Sequence, residues 1–201
     1  KTISNTTIYL ASDSSSISQR LVDTLLVSRP DSGNLIYVPI FLSEEATNIT
    51  NGAQHQAFIN KNGIFPNLNQ TIERLISQYL VVDLDFYRNQ IYIFDRGFVS
   101  PISSMAQLYY NIYFHDSTFT GNSWYYNFSF VPKNKFSPLF TGHFSVDREK
   151  LALSKIEVNF KKEANINFVS GFKGIVTYIK QANGKIFLSN QQVKINLSVF
   201  M

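Results

Sequence analysis

The stretch Trp124-Tyr125-Tyr126-Asn127-Phe128-Ser129-Phe130 carries an aromatic ring at every second position. Successive side chains of a β-strand point to opposite faces, so this alternation is typical of a strand with one buried face. The same period of two recurs in five further segments, around residues 108–114, 140–146, 156–160, 175–179 and 193–199. Turn residues separate these segments, among them Thr120-Gly121-Asn122 and Asn183-Gly184, and Asn183-Gly184 is the strongest hairpin signal. The chain from residue 106 onward is therefore predicted to form a six-stranded antiparallel meander.

A helix is predicted over residues 68–82, where apolar residues recur at the three- and four-residue spacing of one buried helical face. Asn67 is a suitable cap for it. A second short helix or turn is predicted over residues 84–94. The apolar face of the meander must be covered. The predicted fold class is therefore α+β, a curved, half-barrel-like antiparallel meander with one or two helices packed on its concave face.

The first half of the chain gives weaker signals. Residues 1–34 predict an N-terminal extension with a short strand at Thr7–Leu10 and an ambiguous strand or helix at 16–28. Residues 35–42 predict a strand, which Pro39 places at a sheet edge, and the polar residues 43–66 predict a mobile loop. We expect a single domain, 1–201, composed of the extension 1–34, a region 35–105 with the edge strand, mobile loop and helices, and the meander 106–201.

The composition excludes several classes of protein. The chain of 201 residues has no cysteine, which excludes disulfide scaffolds, thiolate zinc sites and cysteine nucleophiles. With 44% apolar and 16% charged residues it is globular rather than disordered. No apolar run reaches the roughly 18 residues of a membrane helix. No charged segment followed by an apolar one comes after Lys1, so no signal peptide is expected.

The charge is unevenly distributed. Residues 1–100 carry 7 basic and 9 acidic side chains, whereas residues 101–201 carry 11 basic and 5 acidic ones. The basic half either binds an anionic partner or consists of solvated lysines on outward strand faces. We find no recognition helix or stacking motif among the lysines, so no nucleic-acid partner is expected.

Few residues suggest chemistry. The three histidines, His55, His115 and His143, do not pair with one another or with carboxylates at a metal-binding spacing, so no metal site is predicted. The carboxylate pairs are Glu44-Glu45 and Asp83 with Asp85, and a hydrolase would use Asp83, Asp85 or His143. Neighbouring carboxylates alone do not make an acid and a base. We therefore expect no enzyme, no catalytic residue and no cofactor.

The alternating aromatic residues have two readings. They form the core of the sheet, or, if a strongly curved sheet is incompletely covered, they line an apolar cavity for an acyl chain. The candidate cavity-lining residues are Trp124, Tyr126, Phe128, Phe130, Phe140 and Phe144.

Several segments resemble one family in order along the chain. The most specific are Phe136-Ser137-Pro138-Leu139-Phe140-Thr141-Gly142-His143-Phe144-Ser145-Val146-Asp147 and Lys162-Glu163-Ala164-Asn165-Ile166-Asn167-Phe168-Val169; residues 35–44, 94–103 and 109–117 agree with them. They resemble large Bacteroidetes envelope proteins of unknown function, which carry a carboxypeptidase-regulatory-like domain near the N-terminus and a predicted outer-membrane β-barrel at the C-terminus. The sheet also looks like the half-barrel of periplasmic lipoprotein carriers, which is an analogy of fold only.

The resemblance implies a periplasmic middle domain, attached to the outer membrane through flanking regions outside these 201 residues, and it implies no catalytic residue. Together with the aromatic meander, it predicts a non-enzymatic domain that binds a lipidic or protein client or positions the attached barrel. Its partner would be a lipid, a lipoprotein or an outer-membrane protein. The alternatives are an anion-binding module that uses the basic C-terminal half and, less favoured, a hydrolase.

Overall fold

The computed structural model describes residues 2–13, 35–50, 53–63, 82–93, 96–134, 136–160, 169–180 and 186–197. These ranges contain eleven β-strands and a single helical turn, α1 (Ala106–Tyr109). The strands are β1 (Thr2–Asp13), β2 (Leu35–Thr50), β3 (Ala53–Gly63), β4 (Gln90–Ile93), β5 (Arg96–Val99), β6 (Tyr110–Thr120), β7 (Ser123–Pro132), β8 (Phe140–Asp147), β9 (Ala152–Phe160), β10 (Val169–Lys180) and β11 (Ile186–Leu197).

Nine of these strands form one sheet in the order β3-β2-β1-β11-β10-β9-β8-β7-β6, and β4 and β5 form a separate hairpin. Neighbouring strands are antiparallel except β1 and β11, which pair in parallel from Ile3–Asn190 to Leu10–Leu197. The six strands predicted from residue 106 onward are β6 to β11, in consecutive order, so the meander is confirmed. The predicted turn at Gly121-Asn122 is also confirmed, because both residues have the positive φ, 57° and 77°, that a tight hairpin turn requires.

One face of the sheet packs against residues 82–93 and 96–106, which we call the cover. The covered face is the inner face of the sheet, and the opposite face is the outer face. Residues 82–93 bury alternate side chains, as extended chain does: Val82, Leu84, Phe86, Ile91 and Ile93. They join sheet residues of the inner face in one core, which includes Ile8, Phe130, Phe140, Ile156, Val176 and Ile195. The side chains between them, such as Asp83 and Tyr92, are exposed.

The buried amide of Gln191 on β11 fixes the start of this cover. Its Oε1 accepts a hydrogen bond from the Leu84 backbone N–H at 2.9 Å, and its Nε2 donates to the Val82 carbonyl at 2.6 Å. Gly174 on β10 lets Leu84 approach the sheet, since a Cβ at that position would lie 2.6 Å from Leu84 Cδ1. Together these contacts hold the extended segment against the centre of the sheet.

The predicted α+β class is wrong. Among the described residues no helix reaches seven residues, and the chain forms a large mixed β-sheet covered by extended chain and a hairpin. The helix predicted over 68–82 lies outside the described residues except for Val82, which is buried in the core. The second helix or turn, predicted over 84–94, is a turn in which the Arg88 N–H donates to the Asp85 carbonyl, followed by β4. The cover is extended because its apolar residues recur with a period of two.

One prediction for the first half is also wrong. The mobile loop at 43–66 is largely strand, because β2 continues to Thr50 and β3 covers Ala53–Gly63. Pro39 agrees with the predicted edge position, because among the described residues β2 pairs with β3 only from Phe41 onward, so that Pro39 has a neighbouring strand on one side alone. It stands opposite Tyr9 beside a bulge, where a missing N–H is tolerated. The strand at Thr7–Leu10 is confirmed as part of β1, whereas residues 16–28 and the Asn183-Gly184 turn lie outside the described residues.

We predict that Gln191→Leu destabilises the fold by about 2–4 kcal/mol, because it leaves the Leu84 N–H and the Val82 carbonyl buried without partners. Urea denaturation of the variant and the wild-type chain measures this loss. The matched control is Gln192→Leu, the same substitution at the adjacent, exposed residue of the outer face, with an expected effect within about 0.5 kcal/mol. Equal losses in the two variants would contradict the role given to the Gln191 amide.

Candidate functional site

Three of the six candidate cavity residues are core. Phe130, Phe140 and Phe144 are buried in the cluster under the cover. The Phe140 ring is stacked on Phe98 at 5.0 Å and meets Phe86 edge-on at 6.0 Å, both from residues 82–106. For this part of the inner face the core reading of the aromatic pattern is therefore the correct one.

The other three candidates, Trp124, Tyr126 and Phe128, lie on β7 toward its beginning, where they are only partly buried. Two rings of β6 join them. Phe114 lies 5.6 Å from Phe128 and 6.1 Å from Tyr126, and Phe119 lies 5.4 Å from Trp124, measured between ring centroids. We call these five residues, Phe114, Phe119, Trp124, Tyr126 and Phe128, the aromatic margin of the inner face.

The aromatic margin is open to solvent. Phe114 is 58% exposed, Phe119 59% and Trp124 44%. Soluble proteins rarely leave clusters of large apolar side chains exposed unless they bind something. The margin is thus the strongest candidate for a functional surface on the inner face.

The margin borders an edge of the sheet. Among the described residues β6 is the last strand, hydrogen-bonded to β7 on one side only. Residues 110–120 include a single charged side chain, Asp116, and no lysine or proline. Charged side chains, above all lysine, and proline are the usual protection of an edge, so this strand is protected only by Asp116 and by the bulge between Phe114 and Asp116.

Sequence reasoning missed Phe119 because of that bulge. The alternation Leu108, Tyr110, Ile112, Phe114 would place residue 119 on the outer face. The bulge inserts one extra residue and reverses the phase, so that Phe119 pairs with Trp124 on the inner face. The signal that could have revealed the bulge is Phe119 itself, an aromatic residue out of phase with the alternation and close to the Gly121-Asn122 turn.

The outer face carries a row of polar side chains across five strands, β6 to β10. His115 Nε2 lies 2.7 Å from Ser129 Oγ, and the ring centroids of His115 and His143 are 6.2 Å apart. On the next strand, β9, Glu157 lies directly opposite His143 of β8. It is paired with Lys173 at 2.7 Å, and the hydrogen bond from Lys173 holds the pKa of the Glu157 carboxyl below its usual value.

The structure does not bring the hydrolase candidates together. His143 is exposed on the outer face, whereas Asp83 and Asp85 line a groove with Tyr178, whose side chain is buried against the inner face. Within the described ranges no three His, Cys, Asp or Glu side chains are placed to hold a metal ion. His55 lies on β3, and its side chain is outside what the structure describes.

The described lysines of the basic half do not form one patch. Lys173 and Lys194 are neighbours on the outer face, where Lys194 Nζ lies 4.5 Å from the centre of the Tyr9 ring. Lys150 and Lys180 line a small cavity at the rim of the sheet with Asp147. Anion binding by this half stays a prediction, and Lys135, Lys161, Lys162 and Lys185 lie outside the described residues.

The chain matches the model of a family of unknown function (DUF5686) over residues 39–201. It belongs to that family. No curated protein and no solved structure matches it. The DUF5686 match thus supports the resemblance to a family of unknown function. The Bacteroidetes source, the N-terminal neighbouring domain and the half-barrel likeness stay predictions. In the part of the chain that the structure describes, no helix has the length and apolar character needed to cross a membrane.

We predict that the two halves of the aromatic set differ in their effect on stability. Phe140→Ala removes a buried ring that touches four others and should cost about 3–5 kcal/mol. Trp124→Ala, in the aromatic margin, should cost about 1 kcal/mol or less. Urea denaturation followed by circular dichroism measures both, and a loss at Trp124 as large as that at Phe140 would place the margin in the core.

We also predict that Lys173→Met raises the pKa of Glu157, measured by NMR titration of its side-chain carboxyl. Because the folded-state pKa lies below the unfolded one, the pair stabilises the fold at neutral pH, and this contribution is lost as the pH falls below about 4. Both side chains are partly exposed, so the loss at neutral pH is under about 1 kcal/mol. Lys155→Met, which removes a more distant charge of the same face, should shift the Glu157 pKa less; an equal shift would argue against the direct hydrogen bond.

Proposed function

We propose that this chain is a non-enzymatic binding domain that holds an extended segment of a protein client along β6 and over the aromatic margin. The observation that carries the proposal is the coincidence of an open aromatic surface with a strand edge. The margin offers apolar contact area on the inner face, and β6 offers backbone N–H and C=O groups at the sheet edge.

An extended protein segment fits both features at once. Its backbone pairs with the side of β6 that has no neighbouring strand among the described residues, and its alternate side chains reach the rings of the margin, as in recognition by addition of a strand. An acyl chain would contact the same rings but would leave the edge groups of β6 without partners. For this reason we favour a protein client over a lipidic one.

The site of action we propose is the periplasm, with attachment to the outer membrane through parts of the protein outside these 201 residues. Its support is the resemblance to envelope proteins set out above. A composition without cysteine is compatible with that location, since such a domain is stabilised by its core rather than by disulfides.

The test places a photoreactive benzoylphenylalanine at Phe114 and at Phe119 in the complete protein in its own cells. The matched control position is Tyr113, which is 51% exposed on the other face of the same strand. We expect crosslinks to a protein from positions 114 and 119 but not from 113. The crosslinked protein, once purified and added to the 201-residue chain, should slow amide hydrogen exchange across β6.

The variants Phe114→Lys and Phe119→Lys should each weaken that complex by about tenfold or more, because they remove aromatic anchors, whereas Tyr113→Lys should not. Crosslinks to phospholipid or lipopolysaccharide alone would instead support a lipidic ligand. Unchanged exchange in β6 would contradict strand addition.

A further inference from the structure

A second concave surface lies apart from the aromatic margin, at the rim of the sheet where β9 and β11 begin and β10 ends. This rim groove has a volume of about 690 Å³, within the range of sites for small ligands. Its polar wall is the exposed side of residues 82–87, and its apolar wall belongs to β11. Its lining includes Asp83, Asp85, Tyr87, Tyr178, Phe187 and Leu188.

Tyr178 is the unusual member of the groove. Its side chain is only 8% exposed, and its hydroxyl has a donor beside it, the Phe86 backbone N–H, but no acceptor for its own proton among the described residues. Burial, and then the nearby Asp85 carboxylate, raise the pKa of this hydroxyl, so it keeps its proton and is a donor. The ring is held edge-on against Tyr87 at 5.5 Å. A buried donor without an acceptor is costly, and it is expected where a ligand supplies the missing partner.

The carboxylates of the groove are not equally available. Asp85 accepts hydrogen bonds from the Tyr87 N–H and from Arg88 Nε, both at 3.1 Å, so that each of its oxygens is engaged. Asp83 has only a loose contact with Arg88, at 3.9 Å, and its side chain is 70% exposed. Asp83 is therefore the acceptor that the groove offers to a ligand.

Hydroxyl groups of a ligand satisfy both Tyr178 and Asp83, because a hydroxyl can accept the hydrogen bond of Tyr178 and can donate one to Asp83. A cationic ligand would suit Asp83 but would give Tyr178 no acceptor, and an anionic ligand would be repelled by Asp83 and Asp85. An apolar ligand would leave the Tyr178 proton unpaired. The apolar side chains Phe187 and Leu188 and the exposed Tyr87 ring suit the C–H faces of a sugar.

We propose that the rim groove binds a carbohydrate, in which one sugar hydroxyl accepts the hydrogen bond of Tyr178 and a sugar hydroxyl donates to Asp83. This site is separate from the β6 edge, so the two proposals stand or fall independently.

The test uses the 201-residue chain and three neutral disaccharides: maltose, cellobiose and N,N′-diacetylchitobiose. Two-dimensional NMR should show saturable shifts of the Tyr87 and Leu188 amide signals with at least one of them. Tyr178→Phe, which removes only the hydroxyl, should weaken that binding about five- to tenfold and should leave stability in urea unchanged or raised. Asp83→Asn should weaken the binding by a comparable factor.

The matched control is Tyr110→Phe. Tyr110 is also a buried tyrosine, but its hydroxyl donates to the Val99 carbonyl at 2.6 Å and accepts from the Phe140 N–H at 3.2 Å. Its loss should therefore lower stability and leave sugar binding unchanged. The proposal is overturned if no disaccharide shifts the groove signals, if spermidine alone shifts them, if Tyr178→Phe binds as tightly as the wild type, or if Tyr178→Phe destabilises the fold.

Discussion

The contact of four phenylalanine rings, Phe98, Phe140, Phe160 and Phe172, joins the sheet to its cover. The rings stack at centroid distances between 4.5 and 5.7 Å, and they come from the hairpin of β4 and β5 and from β8, β9 and β10. The inner face of a wide sheet cannot stay in water, because apolar area exposed to solvent costs about 25 cal/mol per Å². Since the cover here is a short hairpin and an extended segment, its contact with these rings decides which part of the inner face is core.

The limited reach of the cover has two consequences. Toward the beginning of β7 the aromatic pattern continues past the covered region, and the rings of the margin become surface next to the sheet edge. At the rim, the alternation of residues 82–87 turns Asp83, Asp85 and Tyr87 out of the core, where they line the rim groove. The same packing that buries Leu84 and Phe86 thus builds one wall of the groove.

Much of the second half of the chain could be predicted, because alternation and turn residues are local signals. The strands β6 to β11 follow from them. The cover was predicted as helix although Val82, Leu84 and Phe86 alternate, since three such positions in a short segment are overshadowed by the nearby helical pattern at 68–82. The strand β3 and the second half of β2 were missed because polar strands are defined by backbone pairing, which leaves little trace in hydropathy.

The sequence by itself determined the local features of the second half: the alternation of apolar residues that forms six strands after residue 106, the Gly121-Asn122 turn, and an apolar sheet face rich in phenylalanine. Only the tertiary structure decided which of those phenylalanines are core, because burial depends on how far another segment extends over them. It also decided which face of β10 is buried. Ile175 and Val176 are both apolar, so the sequence allows either face; because Leu84 packs against Gly174, Val176 and Tyr178 lie on the inner face. The parallel pairing of β1 with β11 and the phase reversal at the β6 bulge are likewise long-range or cross-strand choices. Such choices depend on partners distant in sequence, and no local pattern records them.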